Sequence, residues 1–527
     1  MPTDPATSRP PVTSATAVDE AHPMSEAAVA SSSSARTGPR HHLQRPLVRA
    51  GVITALVIYA WSFRHTFVDD AYIQFQYART LAASGTWGFY AGHPANTATS
   101  PLNVVLIAAG SLLTGSAVGA AVLLTGVELA VLLWLLLRLS RHVDGNAFFA
   151  LFAFCAIATN LLIVSTFGLE SLLYVVLLVA AVTMMLEQRR TLMMLLAAAL
   201  TLARPDGVLL AVLLFIATRP RAREAARLAA VYIVAVSPWF LYSWITLGSF
   251  VPDTLVIKIQ QRAWGHSTFF NGIRLYFDRF PYETVATLAL APLCLVPFWR
   301  CSDRVRRFVS ILTAYALLHF VAYSLLGVPP YHWYYIHHVA PLLLIASIGA
   351  MYWSSRLRQK YPATAWLLPS LPAIGLVVLL VREGFPLRET PINTNWATSA
   401  DYHSVGLWLR DNLEPGAPIA VSGEVGTVAY YSDQMLINEF SDMSVADTLI
   451  EQSGIKRTKG IGWLFKLNFL WRGHHDRLPP QAYELVFHPG QAPNGCPPDD
   501  SACVMTWGGG TAWVQPTTII LRRRDPG

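Results

Sequence analysis

The chain has 527 residues, 53% of them hydrophobic and 13% charged, with a mean hydropathy of +0.40. An ordinary soluble domain carries about 25% charged residues, so this composition excludes one and points to a protein built around membrane helices. The net charge of +7 is no nucleic-acid signal, because the arginines cluster in short loops between apolar stretches, the positive-inside pattern. Five cysteines are too few for a disulfide scaffold.

Residues 1–45 are rich in Ser, Ala, Pro and Thr and are expected to form a disordered cytoplasmic tail. With no apolar run near Met1, the first crossing is expected to act as its own signal anchor. Arg40, Arg45 and Arg49 precede the apolar segment 50–64 and put the N-terminus in the cytoplasm. The loop 65–100 is then external and carries the adjacent acids Asp69 and Asp70. The apolar segment 101–114 is short and is expected to lie in the outer interface. Segment 117–138 returns to Arg138 and Arg141, 147–164 goes out, and 169–186 comes back to Arg189 and Arg190. A broken pair, 191–203 and 207–218, surrounds Ala203-Arg-Pro-Asp-Gly207, where Pro205 ends one helix and Gly207 permits a turn.

Segment 226–247 leads to a second external loop, 248–283. Segments 285–299, 308–327, 335–353 and 364–381 follow, with basic clusters at 300–307 and 356–360 on the inner side. The expectation is a mainly α-helical multi-pass protein of the plasma membrane, with about eleven membrane segments in a domain spanning 46–382. Residues 383–527 are polar and are expected to form a small extracytoplasmic α/β domain. Its signals are a helix-like run 402–413, a strand-like Ala417–Ser422, and an apolar 427–431 after Gly423-Glu-Val-Gly426. Cys496 and Cys503 flank a Pro-Pro-Asp-Asp turn, and an external location would oxidise them to a disulfide.

The chemistry centres on Asp69 and Asp70. A carboxylate pair just past a transmembrane helix is costly unless it faces water, substrate or a cation. The alternative role is to cap a helix over 71–82. On such a helix Tyr72, Phe75 and Arg79 share a face, and Arg79 could clamp a phosphate. Glu170 begins an apolar helix, where the dipole alone would favour an acid. Arg204 and Asp206 flank a proline in a membrane break, which calls for a partner or a polar cavity. Lys258 lies in the second external loop, as a phosphate ligand or as an ordinary surface lysine. The run Tyr331-His-Trp-Tyr-Tyr-Ile-His-His338 fits an interfacial aromatic belt. Its histidines lack a carboxylate at ligand spacing, so no metal and no other cofactor is expected; His337 and His338 are candidates for phosphate or sugar contact. No Walker loop, dinucleotide-binding glycine pattern, cysteine-pair metal site or Gly-x-Ser-x-Gly elbow is present. A cytosolic nucleotide-sugar enzyme or an ATP-driven pump is therefore unsupported.

The motifs, in their order, resemble those of polytopic GT-C glycosyltransferases, most closely the cell-wall arabinofuranosyltransferases. They are Val68-Asp-Asp-Ala-Tyr-Ile-Gln-Phe-Gln-Tyr-Ala-Arg79, Thr99-Ser-Pro-Leu102, Gly168-Leu-Glu170 and Ala203-Arg-Pro-Asp-Gly207. Pro252-Asp-Thr254, Lys258, His337-His-Val-Ala-Pro341 and Trp408-Leu-Arg-Asp-Asn412 through Tyr430-Tyr-Ser432 continue the series. The resemblance implies a GT-C membrane domain and an inverting transfer from a polyprenyl-phosphate sugar, arabinofuranose in the closest relatives, to a cell-envelope glycan acceptor. It implies an acid of the first external loop, Asp69 or Asp70, as catalytic base. Arg79, Glu170, Arg204, Asp206, Lys258, His337 and His338 would serve the donor.

Two rival readings are a transporter or flippase for lipid-linked glycans and a non-catalytic assembly scaffold. A transporter site belongs near the bilayer midplane between inverted repeats. Here the acids sit at the outer rim and no internal repeat is seen.

Overall fold

The computed structural model describes residues 40–453, 461–473, 475, 478–490, 495–509 and 517–524. The chain divides into two units: Met1–Gly51, of which residues 40–51 are helical, and Val52–Gly527, which holds all that follows. The first 39 residues of the expected tail lie outside the described residues, and 40–45 already belong to a helix.

Helix α1 runs Arg40–Trp61. After a turn, α2 (Asp69–Ser84) opens on Val68 without a side-chain cap and closes on Gly85, whose φ of 72° is a left-handed C-cap. Ser100, Ser116 and Asn146 cap α3 (Pro101–Thr114), α4 (Ala117–Ser140) and α5 (Ala147–Ala158) by accepting from backbone amides of the first turn. The single crossing expected over 147–164 is broken, because Asn160 accepts from the Leu162 amide and starts a separate turn, α6 (Leu161–Val164). Helix α7 (Ser171–Leu186) is buried at every residue and forms the centre of the bundle, packed against α4 and α8 (Arg190–Ala203).

The break at Arg204-Pro205-Asp206 separates α8 from α9 (Gly207–Ala217). Gly207 allows α9 to start hard against α8: a Cβ there would lie 2.7 Å from the Leu200 carbonyl. Helices α10 (Ala222–Thr246), α11 (Thr254–Gln261), α12 (Ile273–Arg279) and α13 (Pro281–Leu288) follow. The crossing expected over 285–299 is not one helix. It ends at Leu288 and gives way to 3-10 turns at Ala291–Cys294 and Phe298–Arg300, since Pro292 and Pro297 supply no N–H to carry a helix on. Helices α14 (Asp303–Leu326), α15 (His332–Arg358) and α16 (Leu367–Arg382) complete the apolar part.

Among the described residues, four helices (α4, α10, α14 and α15) are long and apolar enough to cross a membrane, and seven shorter apolar helices accompany them. The expectation of about eleven membrane segments, which counted short and broken ones, thus meets four helices of full spanning length and seven shorter ones among the described residues. A 16-residue helix such as α7 is about 24 Å long, short of a hydrocarbon core of about 30 Å.

The C-terminal part alternates helix and strand. Helix α17 (Ser399–Asn412) opens with a reciprocal capping box between Thr398 and Asp401. Then come β1 (Pro418–Val421), α18 (Gly426–Ser432), β2 (Met435–Ile437), α19 (Met443–Gln452), α20 (Ile461–Asn468), β3 (Tyr483–Pro489), β4 (Cys503–Gly509) and β5 (Thr517–Arg523). The five strands form one sheet in the order β2-β1-β3-β5-β4. Strand β1 is parallel to β2 and β3, while β5 is antiparallel to β3 and β4. Leu485 lies between Val421 and Leu521 in register, and all three are buried. Cys496 and Cys503 are joined as a disulfide.

Candidate active site

The N-terminus of α2 gives its two acids different surroundings. Asp69 is buried, 2% exposed. It caps α18 rather than its own helix: its carboxylate accepts the Gly426 amide at 2.9 Å and the Thr427 amide at 2.7 Å. Contact is close enough that a Cβ on Gly426 would meet the Asp69 carbonyl oxygen at 2.2 Å. Burial pushes the Asp69 carboxyl up to about 6, against the pull of those two amides, and the neighbouring Asp70 adds to the rise. Asp70 makes neither amide contact. Its side chain is 24% exposed and lies 3.6 Å from the Lys258 ammonium.

Both acids border a cavity of about 550 Å³. Its other walls are Lys258 and Gln261 of α11, Trp264, Tyr331, the segment 394–396, the segment 422–425 after β1, and Glu439 with Phe440. A narrower cavity of about 40 Å³ shares Asp70, Ile73, Lys258 and Phe440 and adds Gln74, Glu170, Arg204, Trp333 and Tyr334. The apolar helices and the α/β part therefore each supply walls.

Lys258 owes its position to a pinned loop. The Thr254 hydroxyl donates to the Thr97 carbonyl, and the Asp253 amide donates to the Asn96 carbonyl at 2.8 Å. Arg472 grips the Asp253 carboxylate with both contacts at 2.8 Å. The ammonium then sits 3.7 Å from the Tyr331 ring centroid, a cation–π contact that a desolvated lysine favours.

Glu424 is a cavity acid that sequence reasoning did not select. Its carboxylate accepts from Asn395 Nδ2 and the Trp396 amide, each at 3.2 Å, and from the Tyr402 hydroxyl at 3.0 Å. Burial, reinforced by Asp69, pushes it up to about 7. Its one visible signal is an acid set between glycines directly after a strand-like run.

Beneath the narrower cavity lies a buried polar network. Arg204 donates to Glu170 at 2.5 Å, to Asp206 at 3.2 Å and to the Tyr323 hydroxyl at 3.0 Å. Gln74 donates to the other oxygen of Glu170 and accepts from Asn103 at 2.7 Å. Glu170, at the start of α7, makes no capping bond; it is an ion-pair partner. Asp206 also accepts from Tyr323 and faces His319 and His337. So a carboxylate does join one of the expected histidines, through a tertiary approach that spacing along the chain cannot display. His338 is half-buried against Phe269 and Phe320. Arg79 borders neither cavity. It pairs with Asp433 at 3.0 Å, donates to the Tyr430 carbonyl and stacks over that ring, joining α2 to α18. Of the residues predicted from sequence, Asp69, Asp70, Glu170, Arg204 and Lys258 line the paired cavities, Asp206 and His337 lie behind them, and Arg79 and His338 lie elsewhere.

No protein-family profile matches the sequence, and no curated protein matches it. Solved structures do. The ArnT of Cupriavidus metallidurans, bound to undecaprenyl phosphate, aligns over 91% of this chain and 98% of its own, with 12% identity and a TM-score of 0.56. The archaeal oligosaccharyltransferase AglB of Archaeoglobus fulgidus, in complex with an inhibitory peptide and a dolichol-phosphate, aligns over 84% of this chain and 69% of its own, at 10% identity and a TM-score of 0.50. The mycobacterial arabinofuranosyltransferase AftD aligns over 74% of this chain and 32% of its own, with 16% identity and a TM-score of 0.46, too loose to carry weight. At these identities the likeness is one of fold, and the fold is that of the GT-C glycosyltransferases.

Proposed function

We propose that the protein is an inverting membrane glycosyltransferase that moves a sugar from a polyprenyl-phosphate donor to a hydroxyl of a cell-envelope glycan. The observation that carries this reading is the Asp70–Lys258 pair, a carboxylate and an ammonium 3.6 Å apart, exposed to two adjoining cavities. In this reading the acceptor hydroxyl enters the wider cavity and gives its proton to Asp70 as it attacks the anomeric carbon. The bond from that carbon to the lipid phosphate breaks, and the phosphate keeps the electron pair. Lys258 stabilises the departing charge in a partly desolvated site. Asp69 is a positioning residue, because both its oxygens hold α18 against α2.

The ArnT and AglB structures, bound to undecaprenyl phosphate and a dolichol-phosphate, support a lipid-phosphate donor. The basic clusters support an inside N-terminus and an outside C-terminal domain, and a cell-envelope acceptor would place the protein in the plasma membrane. The motif resemblance makes arabinofuranose the first sugar to try. Membranes carrying the protein, incubated with a panel of radiolabelled polyprenyl-phosphate sugars, should transfer label from one of them. Asp70→Asn membranes should not. Transfer that survives this substitution refutes the assignment of the base.

A further inference from the structure

The polar network behind the narrower cavity holds a set of groups that the transfer scheme leaves unused. Asp206 stands at the α8–α9 break, His319 on α14 and His337 on α15. Their ligand atoms all lie within 4.8 Å of one another. The Nε2 atoms of His319 and His337 approach Asp206 Oδ2 at 3.5 and 3.9 Å. Ligands about 2.0–2.1 Å from a tetrahedral zinc ion stand about 3.4 Å apart, so small shifts would bring these three onto one ion.

Two further observations point to a cation. First, Asp206 Oδ1 is buried and has no hydrogen-bond partner, a rare state for buried polar atoms; His319 is fully buried, and its Nε2 faces Asp206 Oδ2 at a loose 3.5 Å. Second, the formal charges do not cancel. Glu170 and Asp206 share the guanidinium of Arg204, Asp206 also faces His319 and His337, and the adjacent Lys258 is matched by Asp70. With both imidazoles neutral, as metal ligation requires, one negative charge is left over in a desolvated site, which is costly unless a further cation joins it.

The second shell suits a metal as well. His337 Nδ1 lies 2.6 Å from the Tyr315 hydroxyl, which in turn contacts the Tyr174 hydroxyl at 2.8 Å. The Nδ1–H tautomer donates to Tyr315 and leaves the Nε2 lone pair aimed at Asp206, the usual way a ligating histidine is oriented. Two imidazoles and a carboxylate are a borderline-soft donor set that favours zinc over calcium or magnesium.

We propose that Asp206, His319 and His337 bind one zinc-type divalent ion that ties the α8–α9 break to α14 and α15 and so fixes Arg204 at the wall of the narrower cavity. This differs from the sequence expectation of no metal, and it does not depend on the proposed transfer reaction. The test is elemental analysis of untagged full-length protein, purified in detergent from cells grown with added zinc and collected as the monodisperse fraction. About one zinc per chain is expected. His319→Ala and His337→Ala should each lower that content at least fivefold in the same fraction, and Asp70→Asn should not. Tyr315→Phe should weaken retention against a competing chelator by about tenfold or more. A wild-type content below one zinc per ten chains overturns the proposal, as does a content unchanged in both histidine variants. The wild-type measurement stands even if a variant fails to fold.

Discussion

The Asp69 carbonyl oxygen and the α-carbon of Gly426 lie so close that any side chain at 426 would overlap the carbonyl, at 2.2 Å from a Cβ. The obstacle is backbone, which cannot swing aside like a side chain. Gly426→Ala should therefore separate α2 from α18 and cost about 1–3 kcal/mol, the usual scale of overpacking. Thermal unfolding of the purified protein should show a lowered Tm together with lost activity; an unchanged Tm would refute the contact.

The two aspartates should fail in different ways. Asp70→Asn should keep the wild-type Tm and donor affinity and lose turnover by about 100-fold or more, the scale of acid–base assistance. Asp69→Asn should lower Tm, because an amide cannot accept from both Gly426 and Thr427 as the carboxylate does, and a buried unpaired donor costs about 1–3 kcal/mol. Equal loss of turnover at equal stability in both variants would contradict this division.

Glu424 sets a pH dependence whose sign follows from its raised value. The unfolded carboxyl titrates near 4.5 and the folded one near 7, so the folded state holds the proton more tightly. Its favourable contribution is complete below about pH 4.5 and is lost as pH rises through 7. Glu424→Gln stays neutral throughout. Its Tm should exceed that of wild type at pH 8 and converge with it near pH 4.5, as read by scanning calorimetry at the two pH values. Asp69, raised from 3.8 to about 6, adds a dependence of the same sign, and because its charge reinforces the rise at Glu424, the gap at pH 8 includes the repulsion between the two carboxylates that the variant removes.

Lys258→Met keeps an apolar stem over Tyr331 and removes the charge. Loss of a charge-assisted contact to the donor phosphate, about 1.5–3 kcal/mol, should raise the donor KM by about 10- to 100-fold. Folding should be little changed, since Asp70 retains access to solvent in the cavity. Donor-titration kinetics on the membrane fraction would decide it.

Orientation is testable without activity. With the five native cysteines replaced, a cysteine placed at Asp433, the exposed C-cap of α18, should react with a membrane-impermeant maleimide in intact cells. Protection there, with labelling only after lysis, would reverse the topology.

Apolar runs and prolines made most helices legible: 101–114, 117–138 and the break at Pro205 all correspond to observed elements. Period and punctuation are local properties. The failures are tertiary. Nothing along the chain shows that Asp69 reaches across 357 positions to Gly426, or that His319, alone in an apolar stretch, faces Asp206. Arg79 looked like a phosphate ligand because it shares a helical face with Tyr72; that face instead meets Tyr430 and Asp433. Strand β5 escaped notice because it carries no alternation, being buried at five successive residues.

The wider cavity draws its walls from residue 69 at one extreme and residue 440 at the other. During synthesis the ribosome delivers Asp70 and Lys258 long before it delivers Glu424 and Phe440. A chain halted at residue 415 would hold every apolar helix yet lack the segment that closes the cavity and the amides that hold Asp69. Such a fragment would insert into the bilayer and remain inert. Under the proposed function, activity is therefore the last property this polypeptide acquires, and an early stop leaves an inserted protein with an open, unfinished site.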